Sequence, residues 1–84
     1  MNLSMESLIS EKITRSLNPE KLEILDLSNS CGAIFNLTIV SDKFEGKKLL
    51  ERHRLVNSSL GNTYNQIHAL SIKCYTMGEY KSLS

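Results

Sequence analysis

The stretch from residue 34 to residue 75 places the tightest constraint on how this chain folds. Residues 34–41, IFNLTIVS, put Phe35, Leu37 and Ile39 on one side and Asn36 and Thr38 on the other, the period of a half-buried strand. Over residues 47–60 the period changes. Leu49, His53, Val56 and Leu60 fall within about 60° of one another on a helical wheel, and Gly61 stops the run. Residues 67–75, IHALSIKCY, return to alternation with Leu70, Ile72 and Cys74 on the buried side. Asp42 to Gly46 connects the first strand to the helix. A strand, a crossover helix and a second strand in one sheet are almost always parallel and right-handed.

Upstream, residues 22–27, LEILDL, form a short strand, and residues 28–33, SNSCGA, read as a loop in which Gly32 permits unusual backbone angles. The short separation favours an antiparallel pair with 34–41. Residues 4–17 are predicted as an amphipathic helix. Met5, Ile9 and Ile13 form its ladder, Leu8 and Leu17 its edges, and Ser4 its N-cap. Asn18-Pro19 ends it, because a residue before proline avoids the α region. Thr76 and Glu79 have capping-box spacing for a brief final helix, which Gly78 weakens. The expected fold class is α+β: an α-β-β-α-β order with a short C-terminal helix and a three-stranded mixed sheet, residues 1–84 forming a single domain.

Composition excludes more than it selects. A chain of 84 residues and 9.5 kDa is too small for a deep cavity ringed by catalytic loops or for a two-domain cleft. Ten Lys+Arg against nine Asp+Glu give a net charge of +1, which favours no class of partner. No run approaches the ~20 apolar residues of a membrane span. The first seventeen residues lack the apolar block of a signal peptide and carry Glu6 and Glu11, so they read as part of the fold. Two cysteines without an export signal read as free thiols in a reducing compartment. The expectation is a cytoplasmic protein, with the nucleus as a second location.

Topology singles out two residues. If the strands at 34–41 and 67–75 are neighbours, their starting ends share one sheet edge, about 4.8 Å apart. Cys31 precedes the first of these strands and His68 opens the second, whereas Cys74 lies roughly 20 Å further along. A Cys–His pair can act as nucleophile and base, but catalysis also needs an orienting group, an oxyanion hole and a pocket, none of which the sequence offers. Two ligands are too few for zinc, yet one thiolate and one imidazole suit an iron of a [2Fe–2S] cluster if a partner completes the site. The plain alternative is a loop thiol and an edge histidine with no shared role. His53, in the middle of the helical stripe, is expected to be a semi-buried histidine with a local hydrogen bond, and Cys74 a small core residue. Lys43, Lys47, Lys48, Arg52 and Arg54 form the one basic concentration, interleaved with Asp42, Glu45 and Glu51. They are either a solvated face or the candidate contacts for a partner or nucleic acid. No Gly-x-x-Gly backbone clamp occurs, and Tyr64, Tyr75 and Tyr80 are too scattered for a stacking platform.

From residue 17 to residue 80 the chain resembles the BolA family. Val40-Ser41-Asp42-Lys43-Phe44-Glu45-Gly46-Lys47, then Leu49-Leu50-Glu51-Arg52-His53-Arg54-Leu55-Val56, and finally Ile67-His68-Ala69-Leu70 carry the resemblance in order. It implies an α-β-β-α-β fold similar to class II KH domains. Ser30-Cys31-Gly32 is similar to the branch with cysteine in this loop, the cytosolic eukaryotic one. The resemblance further implies that Cys31 and His68 ligate a bridging [2Fe–2S] cluster shared with a monothiol glutaredoxin, whose cysteine and a glutathione thiol supply the other ligands. The implied protein is not an enzyme. It is a monomer without cofactor when alone, and an adaptor in iron–sulfur cluster trafficking and iron homeostasis. The family's transcriptional regulators make nucleic-acid binding the alternative. Where the family ends in Thr-Pro-Glu-Glu-Trp, this chain has Thr76-Met77-Gly78-Glu79-Tyr80, which should weaken the last helix.

Overall fold

A computed structural model describes residues 4–83; Met1–Leu3 and Ser84, included in the single-domain expectation, lie outside the described residues. Helix α1 (Met5–Leu17) starts at Ser4, whose side chain accepts a hydrogen bond from the Ser7 amide, and buries Ile9, Ile13 and Leu17. It ends differently from expectation. Asn18 does not turn extended ahead of Pro19 but takes the left-handed conformation (φ 43°), and its amide bonds the Thr14 carbonyl. Asparagine tolerates that region better than most residues.

Strand β1 (Lys21–Asp26) pairs antiparallel with β2 (Ile34–Val40), and β2 pairs parallel with β3 (Ala69–Tyr75). The sheet is three-stranded and mixed, with β2 in the middle. Phe35, Leu37 and Ile39 of β2 face a core completed by α1, by Val56 and Leu60 of α2 (Leu49–Leu60), and by Phe44 and Cys74. Asn36 and Thr38, on the opposite parity, line an open face with Glu23, Leu25, Ser71 and Lys73. Ser41 is wholly buried and clamps the far end of β2: its hydroxyl donates to the Leu17 carbonyl at 2.7 Å and accepts from the Lys43 amide at 3.1 Å.

The crossover is more articulated than its sequence pattern. A short 3-10 turn at Asp42–Phe44 drives Phe44 into the core, and a second one at Gly61–Gln66 leads from α2 towards β3. Helix α2 begins at Leu49 rather than at 47. Its N-cap, Lys48, offers no side-chain acceptor, and the Glu51 carboxylate instead accepts from the Lys48 amide. Leu49, expected on the buried stripe, is 63% exposed, because the first turn of α2 projects past the core. His53 is half-buried as expected, but the expected local hydrogen bond is not made by its Nε2. That atom is buried without a hydrogen-bond partner among the described residues, as is Asn57 Oδ1 one turn later. Helix α3 (Met77–Ser82) forms despite Gly78, through the predicted capping box between Thr76 and Glu79.

Candidate ligand site at one end of the sheet

Residues 28–33, expected as a plain loop, are the ordered tip of the β1–β2 hairpin. The Leu27 amide bonds the Ile34 carbonyl at 2.8 Å, and the Ser28 hydroxyl accepts from the Ile34 amide at 2.9 Å. Asn29 and Gly32 then exchange backbone hydrogen bonds in both directions, each 3.1 Å, so Ser30 and Cys31 are the two residues of a tight turn. The Asn29 side-chain oxygen accepts from the Cys31 amide at 2.8 Å, an Asx turn laid over the backbone bridge. Cys31 is exposed at this tip.

His68 reaches the same place from the other strand. Its amide donates to the Ala33 carbonyl at 2.8 Å, and the Ala69 amide donates to the same oxygen at 3.2 Å. The contact between turn and histidine is closer still. A Cβ on Gly32 would stand 2.8 Å from His68 Cβ, nearer than real Cβ atoms approach, and 3.2 Å from its Cγ, tighter than most such contacts. Gly32 also has φ +146°, which L side chains rarely adopt. Glycine is thus required twice over at the residue following Cys31. The parallel register Ile34↔Ala69 puts Cys31 and His68 at one end of the sheet, in agreement with the topological reading.

The donor set at this end is one exposed thiol and one exposed imidazole. No group of three or more His, Cys, Asp or Glu side chains placed to hold a metal occurs among the described residues. The set fits a metal centre finished by another molecule and does not fit a closed structural zinc site. Cys74 is a different thiol. It is buried, burial pushes its pKa up to about 11 against a smaller opposing effect of Arg52, and it packs in the core as the alternation predicted.

The basic residues lie elsewhere. Lys47 and Lys48 precede α2 at the end where β2 and β3 finish, seven residues of strand or roughly 20 Å from the Cys31 turn. Lys43, Lys48 and Arg54 are exposed there and Lys47 is half-buried. Arg52 does not join them. Its side chain is 11% exposed, its Nε donates to the Lys47 carbonyl at 2.9 Å, and its Nη1 to the Cys74 carbonyl at 3.2 Å. Both terminal nitrogens grip Glu79, at 2.6 and 3.1 Å. Sequence reasoning grouped Arg52 with the surface cations because its partner is 27 residues away and on a helix that looked weak.

A family model described as BolA-like protein matches residues 13–79. The chain belongs to the BolA family. BolA-like protein 2 of Homo sapiens is 44% identical over 81 residues, covering 95% of this chain and 93% of the relative. The crystal structure of a bol-like protein from Babesia bovis superposes with a TM-score of 0.89 at 43% identity, covering 99% of this chain and 95% of that one. The DNA-binding transcriptional regulator BolA of Vibrio cholerae is 32% identical over 87 residues, covering 95% of this chain and 82% of the relative. The BolA-type α+β fold with its mixed sheet is therefore the fold of this chain. No helix among the described residues is long and apolar enough to cross a membrane.

Proposed function

We propose that this BolA-like chain is a non-enzymatic adaptor that binds a monothiol glutaredoxin and shares a bridging [2Fe–2S] cluster with it. Cys31 as thiolate and His68 as imidazole would hold one iron, and the glutaredoxin cysteine with a glutathione thiol the other. Its place would be iron–sulfur cluster trafficking and iron homeostasis in the cytoplasm, and in the nucleus with it. The observation that carries this reading is the packing of Gly32 against His68, which joins the residue after Cys31 to the histidine with no room for a Cβ. Thiolate and imidazole are the two ligand types that mixed-ligand clusters use.

The test is reconstitution. The chain is mixed anaerobically with a monothiol glutaredoxin, glutathione, iron and sulfide, and visible absorption and circular dichroism are recorded. A spectrum distinct from the glutaredoxin's own cluster is expected, lost in Cys31→Ala and in His68→Ala. A spectrum that neither substitution alters overturns the reading. The DNA-binding role in the name of the Vibrio cholerae relative, with the exposed Lys43, Lys48 and Arg54 here, supports nucleic-acid binding as the second reading. That reading requires duplex affinity that falls steeply with salt, drops in Lys47→Ala and Lys48→Ala, and is indifferent to Cys31→Ala.

A further inference from the structure

Strand pairing alone does not fix the backbone at Cys31, because Cys31 lies in the turn and not in the ladder. Asn29 supplies the missing constraint. Its side-chain oxygen takes the Cys31 amide at 2.8 Å, while its backbone amide and carbonyl bridge Gly32 at 3.1 Å each. Gly32 in turn abuts the His68 side chain, and the Ala33 carbonyl holds the His68 amide at 2.8 Å. The Asn29 side chain therefore fixes the backbone at the thiol, and the backbone bridge beneath it seats Gly32 against the imidazole. We infer that Asn29 is the positioning residue of this site: it sets Cys31 beside His68 before any cluster or partner arrives.

The physical consequence is preorganisation. A two-residue turn without its side-chain acceptor samples several backbone states, and the ordering that ligation then demands weakens binding. Asparagine is suited to the position because its carbonyl oxygen accepts from the amide two residues on. Aspartate keeps that acceptor and alanine lacks it. The inference rests on the proposed cluster-sharing role for its functional readout, but the turn itself is measurable without any cluster.

Asn29→Ala, Asn29→Asp and the unchanged chain are titrated into cluster-loaded monothiol glutaredoxin, with the dichroism of the mixed cluster as signal. The titrations are run at high salt so that the added carboxylate charge is screened. The midpoint is expected to rise about three- to tenfold in Asn29→Ala, the range set by loss of one hydrogen bond, and to stay near the original in Asn29→Asp. In the isolated protein, the Cys31 amide should exchange with solvent faster in Asn29→Ala while the thermal midpoint stays put. An unchanged titration midpoint in Asn29→Ala overturns the inference, as does an equal rise in Asn29→Asp. If the unchanged chain forms no mixed cluster, the cluster-sharing role fails by itself. The amide exchange then decides the turn: faster exchange in Asn29→Ala upholds the positioning of Cys31, and unaltered exchange overturns it.

Discussion

At the end of the sheet where β2 and β3 begin, Cys31 and His68 are joined by neutral backbone hydrogen bonds, one asparagine oxygen and one glycine contact. At the end where the same strands finish, Arg52 draws the N-terminus of α2, the end of β3 and α3 together through hydrogen bonds from a charged group. The first arrangement depends on close backbone approach, with a single carboxylate, Asp26, bonded to the Ser28 amide at the base of the turn. The second depends on charge and responds to acid. The fold thus keeps its exposed Cys31 and His68 at an end tied chiefly by backbone contacts and fastens its C-terminal helix at the other. The difference can be broken at either end.

The largest effect is expected at Gly32. Gly32→Ala forces a Cβ into His68 and a side chain onto φ +146°, so stability should fall by about 2–4 kcal/mol from strain and overpacking together. Gly46 is the control. It too has positive φ (74°), but a Cβ there meets nothing within 4 Å, so Gly46→Ala should cost only about 1–2 kcal/mol of backbone strain. Urea midpoints of the two variants measure the gap. Equal losses would mean that the contact with His68 has no energetic weight and that the two glycines differ only in name.

At the charged end, Arg52→Ala removes the donor of three separate acceptors and should lower stability by about 2 kcal/mol. Arg52→Lys should recover little, because a lysine cannot reproduce the two-pronged grip on Glu79. The pH response has a defined sign. Hydrogen bonding from Arg52, and then from the Thr76 amide, lowers the Glu79 pKa from an ordinary 4.5 to about 2. A group depressed in the folded state contributes fully above its unfolded pKa, so this contribution is present above about pH 4.5 and is lost as pH falls towards 2. The thermal-midpoint advantage of the unchanged chain over Glu79→Gln should therefore narrow between about pH 6 and about pH 3. Since the Glu79 side chain is 48% exposed, solvent keeps the effect modest. A gap that does not change with pH would show that α3 is held by packing alone.

Local periodicity was enough to read three strands, two long helices and the capped final turn, and topology was enough to bring Cys31 and His68 to one end. Both depend on residues close in sequence or on a handedness rule. The rest was illegible for a common reason. The Asn29 oxygen on Cys31 and the Gly32 contact with His68 depend on tenths of an ångström between backbones, which no periodicity encodes. Arg52 sits among lysines and looks like them until Glu79 is seen beside it. His53 matched the apolar stripe, but the pattern could not show that its Nε2 would go without a partner.

The smallest effect carries the sharpest test of the comparison. Helical periodicity puts Leu49 with Val56 and Leu60, and a buried leucine truncated to alanine costs about 2–5 kcal/mol. In the fold, Leu49 is 63% exposed beside Leu50, in the turn that follows Lys47 and Lys48, while Val56 is wholly buried. Leu49→Ala should therefore change stability by no more than about 0.5 kcal/mol, and alanine's helix propensity pulls even that towards stabilisation. Val56→Ala, two turns on, should cost about 2 kcal/mol. The near-zero value matters because the first turn of α2 is where Arg52 is anchored on the Lys47 carbonyl. If Leu49→Ala proved as damaging as Val56→Ala, apolar burial would be holding this end of the sheet. Arg52 would then be an accessory, and the contrast between a packed end and a charged end would disappear. A neutral Leu49→Ala beside a costly Arg52→Ala leaves charge as what fastens α2 and α3 together.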